Sequence, residues 1–157
     1  CSEHGVFMQS PSDHLKGSGC PTCGNSLLES KKLIIIDKFL SRYKVEKEKK
    51  FKECYYVQLL RFDRYIPSLN LCIEYDGQQH FKATKLWGGN EHLKKTNIRD
   101  NIKNEFCIKN GINLVRIKYN QDPIEELKKA IALAKQKSKP FMMMYGELLE
   151  ISEKIAA

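Results

Sequence analysis

The sequence predicts an α/β protein in which helices flank a mixed β-sheet. Residues 60–77 are typical of an antiparallel hairpin, because two apolar runs are joined by the short connection Ser-Leu-Asn after Pro67. Residues 91–119 indicate a helix followed by a buried strand, which is the order of a crossover connection. A hairpin combined with a crossover gives a sheet whose strands run in both directions.

The amino-terminal third begins with a polar stretch. Residues 1–25 are rich in Gly, Ser and Pro and too short to fold unaided, so we assign them to a small separate module. Apolar residues at helical spacing then predict a helix over 27–43. Within the mostly charged segment 45–60, Val45 and Phe51 bracket a predicted exposed edge strand.

Strands are predicted over 60–67 and 71–77, and the rest of the chain alternates helix and strand. A helix over 91–110 is followed by a buried strand over 112–119 and by a helix over 122–137, which opens with Asp-Pro and ends in lysines. A shorter helix is predicted beyond Pro140. The predicted domains are a 1–25 module, a 26–139 core and a 140–157 helical extension.

Composition restricts the class of protein. The 157 residues are 41% hydrophobic and 29% charged, which excludes a disordered chain, and the net charge of +8 suits a polyanionic partner such as nucleic acid. The chain has no apolar run of membrane-spanning length and no signal peptide, so we expect an intracellular protein. The six cysteines are then metal ligands or buried thiols, the latter for Cys54, Cys72 and Cys107. Because the chain begins at Cys1 without methionine, we expect a longer protein upstream.

The amino-terminal module contains two close pairs of soft ligands. Cys1-x₂-His4 and Cys20-x₂-Cys23 are separated by 15 residues, a spacing that suits a tetrahedral structural zinc site. His14 is a competing ligand.

A cluster of acidic residues and a histidine surrounds the predicted hairpin. Glu74 and Asp76 are two apart on a strand and face the same way, and the hairpin brings Asp63 near Glu74. Carboxylates of this kind bind Mg²⁺ or Mn²⁺, as metal-dependent phosphodiester hydrolysis requires. His80 follows on a loop, where it could polarise the phosphate, transfer a proton or bind metal.

Asp100 and Lys103 lie one turn apart in the following helix and share a face. Taken singly, each residue of the cluster has a structural alternative: an Asp-Gly turn, a surface histidine, a paired carboxylate or a solvated helical face. We expect Asp76→Ala to cost little stability, because crowded carboxylates repel one another when no metal is bound.

The motifs "RFDRYIPSLNLCIEYDGQQHF" (61–81) and "RDNIKNEFCIKNGINLVRIKY" (99–119) carry a family resemblance. Over residues 27–119 the chain resembles the very-short-patch-repair-like branch of the PD-(D/E)xK nucleases, which includes the EDxHD homing endonucleases. The resemblance implies a restriction-endonuclease-like fold and metal-dependent DNA cleavage. The cysteine pattern of the amino-terminal module resembles zinc modules fused ahead of such nucleases in phage and large-virus proteins.

The resemblance also implies roles for the clustered residues. Asp63 matches the first Asp of the motif, and Glu74 matches the acidic residue of the (D/E)xK pair. Asp76 occupies the position of the usual Lys. His80 and Asp100 match the later His and Asp of the branch.

One position departs from the family pattern. Relatives place a Glu in the first helix, where this chain has Leu33. Leu33 cannot bind metal, although Glu29 lies one turn earlier on the same face. The departure leaves a weakened catalytic centre as an alternative.

These observations predict a Mg²⁺- or Mn²⁺-dependent DNA endonuclease of homing or restriction type with a structural zinc ion. The predicted catalytic residues are Asp63, Glu74, Asp76, His80 and Asp100, with Asp63, Glu74 and Asp76 as magnesium ligands and Cys1, His4, Cys20 and Cys23 as zinc ligands. The expected partners are double-stranded DNA and, as an alternative to a monomer, a second copy of the chain in a homodimer. The expected setting is the cytoplasm or nucleus of a host cell, with a phage or large-virus gene as one origin. The alternatives are a catalytically weakened DNA-binding module on the same fold and a structured-RNA nuclease.

Overall fold

The computed structural model describes residues 5–15, 31–83, 89–136 and 139–149. The helices are α1 (Pro11–Leu15), α2 (helical over residues 31–39), α3 (Gly89–Lys109) and α4 (Pro123–Gln136). The strands are β1 (Glu46–Tyr55), β2 (Leu59–Ile66), β3 (Leu71–Asp76), β4 (Asn113–Lys118), β5 (Met142–Met144) and β6 (Glu147–Leu149). No helix within the described residues is both long and apolar enough to cross a membrane.

The strands form a six-stranded mixed sheet in the order of the chain, β1-β2-β3-β4-β5-β6. The neighbours β1–β2, β2–β3 and β5–β6 are antiparallel, whereas β3–β4 and β4–β5 are parallel. Helix α3 makes the crossover from β3 to β4, and α4 makes the crossover from β4 to β5. The predicted α/β class, the mixed sheet and the β2–β3 hairpin are therefore confirmed.

Each face of the sheet has its own hydrophobic core. On one face, Ile36 of α2, Leu40 directly after it and Leu127 of α4 form a core with apolar residues of β3 and β4. On the other face, Phe106 and Cys107 of α3 pack against residues that include Phe62, Cys72 and Leu114. The three predicted thiols, Cys54, Cys72 and Cys107, are buried and free in this second core.

Most predicted elements lie where the sequence pattern puts them. The helix of 91–110 is α3 and the strand of 112–119 is β4. The edge strand predicted between Val45 and Phe51 is β1, which continues to Tyr55. The helix of 122–137 is α4, and the Asp122 carboxylate caps it by accepting a 2.8 Å hydrogen bond from the Ile124 N–H. The predicted zinc ligands Cys1, His4, Cys20 and Cys23, together with Glu29, lie outside the described residues.

The prediction of a helical extension over 140–157 is wrong where the structure describes it. Met142–Met144 form β5, which pairs in parallel with β4, and Glu147–Leu149 return as β6. The turn between them uses positive φ angles of 54° at Tyr145 and 91° at Gly146, which a helix cannot contain. Met142 and Met143 are buried as part of the sheet, and this burial outweighs the helix propensity of the methionine run.

Candidate active site

The alternation of side chains along β3 and β4 places three charged residues beneath α3. Ile73 and Tyr75 of β3 face the α2–α4 core, so Glu74 and Asp76 point to the opposite side. Glu74 pairs in parallel register with Arg116 of β4, which takes the same face. All three are buried: Glu74 is 3% exposed, Asp76 1% and Arg116 0%. Buried charges are stable only when they are paired.

Arg116 lies at the centre of this group. Its Nε and Nη2 donate to the two oxygens of Asp76 at 2.7 and 2.6 Å, a bidentate pair. Nη2 also lies 2.8 Å from Asp100 Oδ1, and Nη1 donates to Asn104 Oδ1 at 3.1 Å. Burial opposes the charge of Arg116, but these carboxylates outweigh it and hold the pKa of the guanidinium well above its usual value. One arginine therefore joins β3, β4 and α3.

His80 closes the group from a short 3₁₀ helix, Gln78–His80, that follows β3. Its Nδ1 lies 2.7 Å from Asp100 Oδ2 and 3.6 Å from Asp76 Oδ1. Burial by itself would lower the pKa of His80, but the hydrogen bond to Asp100 and the negative charges of Asp76 and Asp100 raise it overall. Burial likewise opposes ionisation of Asp100, yet His80 and Arg116 bring the pKa of that carboxyl below its usual value.

Asp63 and Glu74 occupy the adjoining part of the site. The Asp63 N–H donates to Glu74 Oε1 at 3.1 Å, and the Tyr75 N–H donates to Asp63 Oδ2 at 2.8 Å. Lys103 of α3 donates from Nζ to Glu74 Oε2 at 2.6 Å. Burial disfavours the Lys103 charge, but Glu74 more than compensates and raises the pKa of the ammonium. The two carboxylates thus tie β2 to β3, and Lys103 ties them to α3.

The structure divides the five predicted catalytic residues into two neighbouring sets. Asp76, His80 and Asp100 bring one ligand atom each within 4.8 Å of one another, a grouping that could hold a metal ion. The predicted magnesium ligands Asp63, Glu74 and Asp76 do not form such a grouping among the described residues. Glu74 is instead engaged by Lys103.

An open cleft of about 520 Å³ reaches the site between the β1–β2 hairpin and α3. Its walls include His80 and Asp100, whose side chains are 18% and 15% exposed. Among the described residues that line the cleft, Asp100 is the one carboxylate, and four residues are cations. The cations are Lys50, Arg61, Arg99 and Lys103.

Sequence reasoning missed two residues of the site and undervalued a third. Arg116 had a signal, since it is a charged residue between apolar neighbours in a strand, but its partner could not be read from that strand. Tyr145, whose hydroxyl donates to Asp76 Oδ2 at 3.0 Å, had none, because its segment reads as a helix. The sequence predicts that Lys103 shares a helix face with Asp100, but it gives no indication of the pairing with Glu74. Leu33, the position at which the sequence departs from the resembling family's pattern, packs against the α2–α4 core.

Comparisons with known proteins find relatives that cover part of the chain. It is 38% identical over 68 residues to "Uncharacterized protein 094L" of Frog virus 3 (isolate Goorha), a match of 42% of this chain and 44% of the relative. It is 34% identical over 61 residues to "Uncharacterized protein 307L" of Invertebrate iridescent virus 6, a match of 38% and 31%. No family model and no solved structure matches. The matched part is thus less than half the length of these relatives, and both are viral proteins, in agreement with the expected viral origin.

Proposed function

We propose that the chain is a metal-dependent nuclease that hydrolyses phosphodiester bonds of DNA. The observation that carries the proposal is the position of Asp76, His80 and Asp100, whose ligand atoms converge beside a cleft lined by four cations. Basic side chains attract the phosphates of nucleic acid, and a cluster of carboxylates and an imidazole suits a divalent cation. A cleft with both features can bring a phosphate to a metal.

The donor set fits a divalent ion. Mn²⁺ accepts oxygen and nitrogen ligands, and Mg²⁺ can be held by the carboxylates together with water. Asp76 Oδ1 and Asp100 Oδ1 each accept one hydrogen bond from Arg116 Nη2, so each oxygen keeps a second lone pair that could bind the ion. Asp76, His80 and Asp100 would together hold it. When bound, the ion would lower the pKa of an attacking water and neutralise charge developing on the phosphate.

The other residues of the site support this chemistry. Arg116 keeps Asp76 and Asp100 in place in the folded chain without metal. Lys103 lines the cleft beside Glu74, where a fixed positive charge stabilises negative charge that develops on the phosphate. The resembling family has a lysine two residues after the acidic residue, at the position of Asp76 here. Lys103 offers an ammonium to Glu74 from α3 instead.

A catalytically weakened DNA-binding module is the second candidate. It is favoured by the bidentate pairing of Asp76 with Arg116, since a buried guanidinium competes with a cation for the same carboxylate. It is also favoured by Leu33, which packs against the α2–α4 core at the position where the resembling nuclease family has a Glu.

Nicking of supercoiled plasmid DNA tests the proposal. We expect the wild-type chain to nick with Mg²⁺ or Mn²⁺ and not with chelator. Asp100→Asn should lower the rate by roughly 100-fold or more, because loss of a metal ligand removes several kcal/mol of charge stabilisation. Lys103→Met should also slow nicking.

Lys128→Met is the matched control, because it makes the same change at an exposed ion pair with Glu125 on α4. Nicking that survives undiminished in both Asp100→Asn and Lys103→Met would contradict the assigned site. A folded wild type that binds DNA but never nicks it with either metal would contradict the nuclease proposal and favour the second candidate, the DNA-binding module. Cleavage of structured RNA in preference to DNA would show that the substrate is RNA and not DNA.

A further inference from the structure

We propose that the cleft takes a single strand of DNA, whose bases stack on the tip of the β1–β2 hairpin. This inference rests on the proposed nuclease function and names its substrate class. It departs from the intact duplex that the sequence suggests. Three features of the described residues support it: the size of the cleft, the depth of the site and the composition of the hairpin tip.

The cleft is too small for a double helix. Its volume of about 520 Å³ lies within the roughly 300–1,000 Å³ of sites that enclose a small organic ligand. The major groove of B-DNA is by itself about 12 Å wide, so the whole duplex must stay outside. One strand can enter a space of this size with a nucleotide or two.

The depth of the site requires such entry. His80 and Asp100 lie in the cleft wall with most of their side chains covered, so a phosphate must move between the hairpin and α3 to reach them. The cations Lys50 and Arg61 lie on the hairpin side, whereas Arg99 and Lys103 lie on α3. A strand lying between them would have positive charge on both sides of its backbone, as in grooves that bind single-stranded nucleic acid.

The tip of the hairpin exposes side chains that suit unpaired bases. Val57 is 73% exposed, Tyr55 56% and Leu59 40%. Tyr55 and Leu59 are cross-strand partners, so their side chains share a face, and Leu59 lines the cleft. The Tyr55 hydroxyl donates to the Val57 carbonyl oxygen at 2.5 Å, which restrains the ring. A restrained, exposed aromatic ring beside a basic groove is a platform for base stacking.

Fluorescence anisotropy of the full 157-residue chain with labelled oligonucleotides tests this inference. Binding is measured in chelator, so that no strand is cut, with a 12-nucleotide single-stranded DNA, its blunt duplex and the RNA of the same sequence. We expect the single-stranded DNA to bind at least 10-fold more tightly than the duplex. Tyr55→Ala should weaken single-strand binding by about 10-fold, since stacking on one aromatic side chain is worth about one factor of ten or more.

Two further variants serve as controls. Tyr55→Phe keeps the ring and should retain single-strand affinity within about 2-fold, although it loses the hydrogen bond to Val57. Leu148→Ala removes an apolar side chain that is 40% exposed from the β5–β6 hairpin, at the other end of the sheet, and should leave binding unchanged.

Equal or tighter binding of the duplex would overturn the inference. So would unchanged single-strand binding in Tyr55→Ala, or tighter binding of the RNA than of the DNA. Failure of the two proposals is distinguishable. Tight single-strand binding by a chain that never cuts DNA would overturn only the nuclease proposal, whereas metal-dependent nicking without single-strand preference would overturn only this one.

Discussion

Glu74 and Asp76 lie two residues apart on the same face of β3 and are both almost completely buried, yet their counter-ions differ. Asp76 shares both oxygens with Arg116, which is buried in the sheet and also holds Asp100. Glu74 is paired with Lys103, which comes from α3 and reaches the wall of the cleft, where 13% of its side chain is exposed.

The difference separates a fixed pair from an adaptable one. A guanidinium is planar, always charged and bound through several parallel hydrogen bonds, so the Asp76–Arg116 pair has one geometry. An ammonium is a point charge on a flexible stem, so Lys103 can turn from Glu74 toward an entering phosphate. We therefore expect the Asp76 side to maintain the fold and the Glu74 side to respond to substrate.

Asp76→Ala should give the largest loss of stability. Removing one partner of a buried pair leaves an uncompensated charge, which costs about 3–5 kcal/mol. At roughly 2–4 °C per kcal/mol for a chain of this size, the melting temperature should fall by about 6–20 °C. This reverses the expectation from the sequence that the variant costs little, because Arg116 replaces carboxylate repulsion with attraction. Thermal unfolding measures the effect, and a melting temperature within 2 °C of the wild type would contradict the fixed-pair description.

Lys103→Met should have a smaller effect on stability than Asp76→Ala. The variant leaves Glu74 without its cation, but the carboxylate keeps the hydrogen bond from the Asp63 N–H, so we expect a loss of about 1–3 kcal/mol in unfolding free energy. Chemical denaturation of Lys103→Met and of the exposed control Lys128→Met measures the difference. If Lys103→Met is at least as destabilising as Asp76→Ala, the distinction between the two pairs is wrong.

Tyr145→Phe should have a smaller effect again. It removes the hydroxyl that donates to Asp76 Oδ2 but leaves both Arg116 bonds, so the expected loss is about 1 kcal/mol. The same denaturation series measures it. Tyr119→Phe is a control, because its ring also packs against Phe81, and its hydrogen bond to Asp76 runs from the backbone N–H to the carbonyl oxygen, which phenylalanine keeps. Equal effects of the two variants would show that the Tyr145 hydroxyl adds nothing to the fixed pair.

The acidic residues of the site could be predicted from the sequence, whereas their counter-ions could not. Glu74, Asp76 and Asp63 belong to one hairpin, whose alternation and tight turn can be read locally. The partner of Asp76 lies 40 residues away on β4, and its position depends on the parallel register that α3 connects. Tyr145 is more distant still, in a methionine-rich segment whose local pattern predicts a helix but which pairs with β4 as a strand. Local pattern predicts the acids, and tertiary pairing determines their counter-ions.

The smallest expected effect concerns pH, at the point where the fixed pair meets His80. Three charged groups face the imidazole from three elements: Asp76 on β3, Asp100 on α3 and Arg116 on β4. Burial opposes protonation, but the Asp100 hydrogen bond and the two carboxylate charges outweigh it, so the pKa of His80 is raised in the folded chain. The unfolded value is about 6.5. Below that pH both states are protonated, and the full stabilisation is present.

As the pH rises above about 6.5, the unfolded chain loses its proton first, and the stabilisation falls until the folded pKa is passed. The stability advantage of wild type over His80→Gln should therefore be greatest near pH 6 and decrease toward pH 9, in chelator throughout. Tyr145 does not titrate in this window, because burial raises its pKa further, and Asp100 titrates well below it because its pKa is lowered. Melting temperatures of both proteins across this range test the sign. Parallel curves would mean that Arg116 alone balances the carboxylates, and an advantage that grows with pH would show that His80 is folded in its neutral form.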